Sequence, residues 1–300
     1  MNLKSPRDAV ISVGRIYCDL VFAGLSGMPQ MGREVFARSM QPVLGGGAFI
    51  AAAHLTHLDR PAALLASYGT DPLSQTLAPQ LEESGIDLRF LERRADAGPQ
   101  VTVVMTDAED RAFLSCRAGR AVPARFGNAL AWERAALLHI AEYATLAEQS
   151  DLVSRAKTAG LSVALDPSWD EALIGKPGLL KACAGVDIFL PNAEEAVAIT
   201  GKSDLNAALD VLVDHFPIVA IKCGGRGALL GSGKARLSAS APKVHLVDTT
   251  GAGDAFNAGL IDAYLAGRTL AECLDAGVAA GSLSVQSTGG APRLATSLAV

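Results

Sequence analysis

The sequence predicts an α/β protein: a three-layer α/β/α core on a mostly parallel central sheet, with a small β lid. Three observations carry that expectation. Near-continuous apolar runs bounded by turn residues alternate with helical stretches along most of the chain, as parallel strands covered on both faces require. Polar residues stand at the ends of several of these runs, on the rim where an open parallel sheet holds its ligands. One region breaks the alternation with two strand-like runs and no helix between them.

Taken in order, residues 9–13, 62–67, 136–140, 161–165, 186–190 and 218–221 read as buried strands, and 71–84, 145–159, 193–200 and 205–216 as the helices between them. Residues 101–106 and 111–117 flank the polar turn Asp107-Ala108-Glu109-Asp110 and read as a hairpin. Residues 20–43 lack a helical period and carry Gly27, Pro29, Gly32 and Pro42. With the hairpin they make a small antiparallel flap, so that lid segments near 15–43 and 98–120 are inserted in one domain spanning 1–300. Residues 243–247 (KVHLV) read as a strand ending at Asp248, and 252–266 as a buried helix.

Half the residues are apolar and 19% are charged, enough for a large core. The net charge of −5 argues against nucleic-acid and membrane-surface partners, which attract a basic face. Arg111, Arg117, Arg120 and Arg125 do cluster locally, either as a solvated face or as a contact for anionic substrate groups. Five scattered cysteines without a CxxC pair predict a reducing compartment and neither a disulfide framework nor a zinc site. Asp8 and the short first apolar run predict no secretory leader, and no uncharged run reaches spanning length. A soluble, cytoplasmic protein is expected.

Asp19, Asp166, Asn192 with Glu195, Lys222 with the run CGGRG, and Asp248 all follow apolar runs. Each alone reads equally as a turn or cap residue; together on one rim they read as a site. The sharpest motif is DTTGAGDAF, 248–256. Gly251 and Gly253 let an anion approach the free N–H groups of a helix N-terminus, where the helix dipole favours it. Asp254 in that first turn stabilises a helix, but it also suits a base that takes the proton from an alcohol attacking a nucleotide phosphate. The motif lacks the third glycine of GxGxxG, and there is no GxxxxGK[ST].

DTTGAGDAF closely resembles the C-terminal signature of the ribokinase-like (PfkB) family of carbohydrate and nucleoside kinases. Leu44-Gly45-Gly46-Gly47 with Ala51-Ala52-Ala53 resembles the family's N-terminal glycine signature, SYGTDPLSQTLAPQLEESGIDL (67–88) its G-x-D segment, and PNAEEA (191–196) its N-x-x-E motif. The resemblance implies a ribokinase-like core with a β lid, and an enzyme that transfers the γ-phosphoryl group of ATP to a hydroxyl of a small sugar. On it, Asp254 is the general base and Gly251, Ala252 and Gly253 the anion hole. Asn192 and Glu195 arrange Mg2+ through water, and Lys222, Gly224, Gly225 and Gly227 border the nucleotide. Asp19, Gly45 and Gly46 hold the acceptor, with Ile50 and Arg111 beside it. Asp248 and Thr250 belong to a monovalent-cation (K+) site, with Gly289 and Gly290 in the corresponding late loop.

Two departures bear on the acceptor. Ile50 with Phe49, and Ile16 with Tyr17, stand where many members carry asparagines, so an acceptor with an apolar part, such as a nucleoside, is an alternative to a plain sugar. A sensor that binds sugar or nucleotide without turnover is a second alternative, disfavoured by the intact Asp254. A dinucleotide oxidoreductase is disfavoured by the absent fingerprint. Exposed lid strands predict pairing as a homodimer.

Overall fold

A computed structural model describes residues 7–106, 111–287 and 289–292. The chain begins with β1 (Ala9–Val13), β2 (Tyr17–Ala23), β3 (Ser39–Gly45) and α1 (Gly47–His57). Next come β4 (Ala62–Tyr68), α2 (Pro72–Glu82), β5 (Leu91–Arg93), β6 (Gln100–Thr106) and β7 (Arg111–Cys116). After α3 (Phe126–Leu130) follow β8 (Ala135–Ile140), α4 (Tyr143–Glu148), α5 (Leu152–Thr158), β9 (Ser162–Leu165), α6 (Leu179–Ala182) and β10 (Ile188–Phe189). The last third holds α7 (Ala193–Thr200), α8 (Leu205–Val213), β11 (Ile218–Lys222), β12 (Ala228–Ser232), β13 (Ala235–Ala239), α9 (Ala252–Leu265) and α10 (Leu270–Ser284).

Nine strands form the main sheet in the order β13-β12-β11-β10-β9-β8-β1-β4-β5. From β11 to β5 every neighbour is parallel, whereas β12 and β13 add an antiparallel margin. Side chains alternate between the faces. Val10, Leu64, Leu137, Ala164 and Ala220 pack with Phe49 and Leu55 of α1, Leu260 of α9 and Leu274 of α10. Ile11, Leu65, Leu138, Val163 and Val219 pack with Phe126 of α3, Leu152 of α5 and Leu209 of α8. These are the three expected layers.

Four strands, β3-β2-β6-β7, make the separate small sheet. It is mixed, not the purely antiparallel flap expected, because β6 leaves the core beside β2 and in the same direction, and the two pair in parallel. The hairpin turn 107–110 lies outside the described residues.

Three further readings are corrected. The strand read at 243–247 is absent: that segment joins neither sheet and exposes Leu246 and Val247, and its Val247 N–H donates instead to the Val285 carbonyl at the end of α10. The helix read at 145–159 is broken into α4 and α5 at Gln149 (φ −130°, ψ 75°), next to Ser150 and Asp151, residue types that compete with helical hydrogen bonding. Helix α1 was hidden by composition: AFIAAAHL is buried nearly all round and has no polar face to give it a period.

Candidate active site

The carboxyl ends of β1, β8, β9, β10 and β11 converge beneath the first turn of α9. That helix starts from Gly251, whose φ of 70° is a left-handed conformation. A side chain there would also strike Gly290 and Ile50. The N–H groups of Gly253 and Asp254 have no acceptor among the described residues, so the turn presents unsatisfied donors. Asp254 itself packs against a second helix start: a Cβ on Gly47, the first residue of α1, would lie 2.8 Å from its Oδ1. Two helix N-termini therefore face one carboxylate.

Under this turn lies a buried cluster. Lys222 Nζ is ion-paired with Asp166 Oδ2, which also accepts a hydrogen bond from Asn257 Nδ2 at 2.6 Å. Lys222 Nζ lies 3.4 Å from Asn257 Oδ1, and a Cβ on Gly253 would stand 3.5 Å from it. The ammonium is thus beside the anion-binding turn. Burial alone would lower its pKa, but Asp166 and Glu195 outweigh that and raise it. Asn192 caps α7 in a reciprocal box: its Oδ1 accepts from Glu195 N at 2.9 Å, and Glu195 Oε2 accepts from Asn192 N at 2.7 Å. Burial first, then the charge of Asp166, push Glu195 up to about 7 and Asp254 also up to about 7.

Three carboxyl groups, Asp166, Glu195 and Asp254, therefore share one ammonium. Excess negative charge in oxygen donors suits a hydrated Mg2+, which Glu195 and Asn192 would hold through water.

On the acceptor side, burial pushes Asp19 of β2 up to about 6, and any side chain at Gly45 would collide with its carboxylate. The glycine run 45–47 therefore connects Asp19 to Asp254. Gly46, at φ 99°, caps α1. Ile50 lies in the core, packed under Gly251 and Gly290, and Phe49 is buried with it; of the apolar substitutions only Tyr17 reaches the cleft. Its hydroxyl donates to Glu142 Oε2 at 2.9 Å. The backbone of Arg111 pairs with Thr106, and its side chain lies outside the described residues.

Gly224, Gly225 and Gly227 form the tight turn after β11; Gly227, at φ 96°, crowds the Ala239 carbonyl. A cleft of about 770 Å³ opens beside this turn, lined by Trp169, Glu194, Cys223, Arg226 and Ser240. It also touches Ala193, next to Asn192. Asp248 Oδ1 accepts from Thr250 N at 2.9 Å and Oδ2 from Gly289 N at 3.0 Å, tying the late loop to the motif.

Sequence reasoning placed Asp166 on the rim and Gly47 in the glycine signature without a specific task for either, and passed over Glu142 and Asn257. Signals were available: Glu142 closely follows the apolar run 135–140 on the same rim, and Asn257 is a polar residue one turn after Asp254 on an otherwise apolar helix.

A two-sheet α/β protein with an acid and an anion-binding helix start between core and lid is a phosphotransferase acting on small hydroxylated molecules. The pattern of the pfkB family carbohydrate kinases matches residues 9–296, and the chain belongs to that family. An ATP-dependent ribose-1-phosphate kinase of Halopiger xanaduensis is 28% identical over 92% of this chain and 91% of its own. The Arabidopsis thaliana ribokinase solved with ribose and ATP superposes with a TM-score of 0.83 at 23% identity, over 96% of this chain and 95% of that one. An Escherichia coli structure in complex with ATP and Mg2+ gives 0.78 at 20% identity, over 94% of each. Among the described residues no helix is long and apolar enough to cross a membrane.

Two outcomes follow from the charge balance. Lys222→Met leaves Asp166 buried without its cation and is expected to cost about 3–5 kcal/mol in urea unfolding, with Asp166→Asn in the same chain recovering most of it. Asp254 and Glu195 release their protons at about 7 in the folded state but at 3.8 and 4.5 without its influence. Between those values the folded state binds more protons, so these groups make the ligand-free protein less stable as pH rises through that window. Asp254→Asn is expected to raise the melting temperature at pH 8 and to have little effect at pH 4.5, read by calorimetry.

Proposed function

We propose that the protein transfers the γ-phosphoryl group of ATP to a hydroxyl of a small sugar, with Asp254 as the general base. The carrying observation is the placement of Asp254 between the N-termini of α1 and α9, with Lys222 beside the same turn. The acceptor hydroxyl gives its proton to the Asp254 carboxylate as its oxygen attacks phosphorus. The N–H groups of the 251–253 turn and the Lys222 ammonium meet the charge on the transferred group. Both helix dipoles favour the ionised base, against the burial that protonates it. Mg2+, when bound, would neutralise phosphate charge, and Glu195 and Asn192 are the residues that would hold it through water. The nucleotide reaches this turn past Gly224, Gly225 and Gly227 and the cleft beside them. The ribose and ATP of the Arabidopsis structure, and the ribose-1-phosphate kinase activity of the Halopiger relative, support ATP as donor and a pentose-sized acceptor. Free cysteines agree with a cytoplasmic setting.

A coupled ADP-release screen over sugars, sugar acids, sugar phosphates and nucleosides tests the reaction. Asp254→Asn should lower kcat by several orders of magnitude while ATP binding, followed calorimetrically, is kept; near-normal turnover would place the base elsewhere. The lid exposes Phe36 and Leu114, which supports pairing of two copies through it. Sedimentation is expected to show a dimer, and a monomer at every concentration would remove that part of the proposal.

A further inference from the structure

The acceptor side holds a cation to which the reaction above gives no task. Strand register sets Tyr17 beside Gln100 and Asp19 beside Thr102, and Thr102 beside Ser115. One residue past the end of β7, Arg117 falls in line with Gln100, to whose Oε1 its Nε donates at 3.3 Å. Because side chains two apart share a face, Tyr17, Gln100, Arg117, Asp19, Thr102 and Ser115 form one hydrogen-bonding surface of the lid. The intervening positions, Cys18, Leu20, Val101 and Val103, are apolar. The Tyr17–Glu142 hydrogen bond turns the polar surface toward the end of β8 and the cleft that Asp254 closes. The Tyr17 phenol is raised mainly by burial and by Glu142, with smaller opposed effects of Arg117 and Asp254.

The Arg15, Glu142 and Glu148 charges at this end are matched among themselves, whereas Arg117 has its counter-ion, Asp170, in an exposed pair. Glu142 accepts from Tyr17 and Thr145 and pairs with Arg15 at 3.7 Å; Arg15 also pairs with Glu148. Arg120 donates to the Glu148 carbonyl, and Arg125 precedes α3. Arg117 alone reaches across the cleft mouth, where its Nη2 donates to Asp170 Oδ2 at 2.9 Å. Its side chain is 41% exposed, and its Nη1 has no partner among the described residues. Such an exposed pair braces a fold weakly. A planar guanidinium with a free edge is suited to a carboxylate or phosphate.

We propose that Arg117 determines acceptor specificity by binding an anionic group, carboxylate or phosphate, at the end of the acceptor remote from the attacking hydroxyl. Asp170 is the internal counter-ion that this group replaces, while Gln100 keeps the guanidinium oriented and Thr102 and Ser115 line the lid above it. The inference rests on the kinase reading and narrows its acceptor class.

The test is ADP release with matched acceptors (aldoses, their aldonic acids, sugar monophosphates and nucleosides) on wild type, Arg117→Gln and Asp170→Asn. Anionic acceptors are expected to exceed their neutral counterparts in kcat/KM by about tenfold or more. Arg117→Gln should raise KM for the anionic acceptor and erase that preference with kcat little changed, and Asp170→Asn should lower KM or leave it. The acid and phosphate arms decide which anion is read. Preference for a neutral sugar or nucleoside overturns the proposal. So does an equal rise in KM for charged and neutral acceptors in both variants, which would make the pair a brace for the lid. Failure of every acceptor to release ADP defeats the kinase reading itself.

Discussion

The ion pair between Lys222 and Asp166, completed by Asn257, is the contact on which the rest of the site depends. It joins the ends of β9 and β11 to the first turns of α9, and so sets where the anion-binding N–H groups lie relative to the sheet. It is also undersized for its surroundings: one ammonium faces three carboxyl groups at low dielectric. A fold selected only for stability would replace such a group with apolar residues of similar volume. Here the imbalance is left for ligands to correct. A phosphate brings negative charge that the helix start and Lys222 accept, and a divalent cation brings the positive charge that the acids lack. The apo protein is thereby held in a state that binding improves.

The glycine run 45–47 joins this electrostatic centre to the lid. Strand β3 of the lid passes directly through Gly46 into α1, and the same three residues touch Asp19 at one end and Asp254 at the other. Any side chain at Gly45 or Gly47 would push one of these acids away. A second of the four crossings is equally tight: Gly119 has φ 58°, and a Cβ there would run into the Ala97 backbone. At these two crossings the lid is joined to the core through positions that exclude a side chain.

Much of this was legible in the sequence, and the pattern of what was not is physical. Buried parallel strands announce themselves as apolar runs, and DTTGAGDAF announced both its helix and its acid. Helix α1 did not, because a helix buried on all sides loses the period by which helices are recognised. The segment 243–247 misled in the opposite sense: an alternating apolar stretch is a strand only when it docks on a sheet edge, and this one runs past the edges of both sheets with Leu246 and Val247 exposed. On the site itself, rim residues at strand ends were found because one rule places them, whereas the contacts that matter for Asn257 with Asp166 and for Gly47 with Asp254 join elements far apart in the chain, which a local pattern does not reveal. Ile50 was assigned to the acceptor by position, and packing spends it beneath Gly251 and Gly290 instead.

Chemistry and specificity occupy different parts of this molecule. The groups proposed to handle the phosphoryl transfer come from strand ends and helix starts of the core, fixed by a sheet whose register tolerates little change. The groups that face the acceptor come mainly from β2, β6 and β7, where alternate positions can be exchanged without disturbing a core. Row by row, the lid face here reads phenol, amide and guanidinium, then carboxylate and two hydroxyls. A surface so rich in donors is poorly matched to an apolar base and well matched to an acceptor that carries oxygen at both ends and charge at the one remote from the attacking hydroxyl.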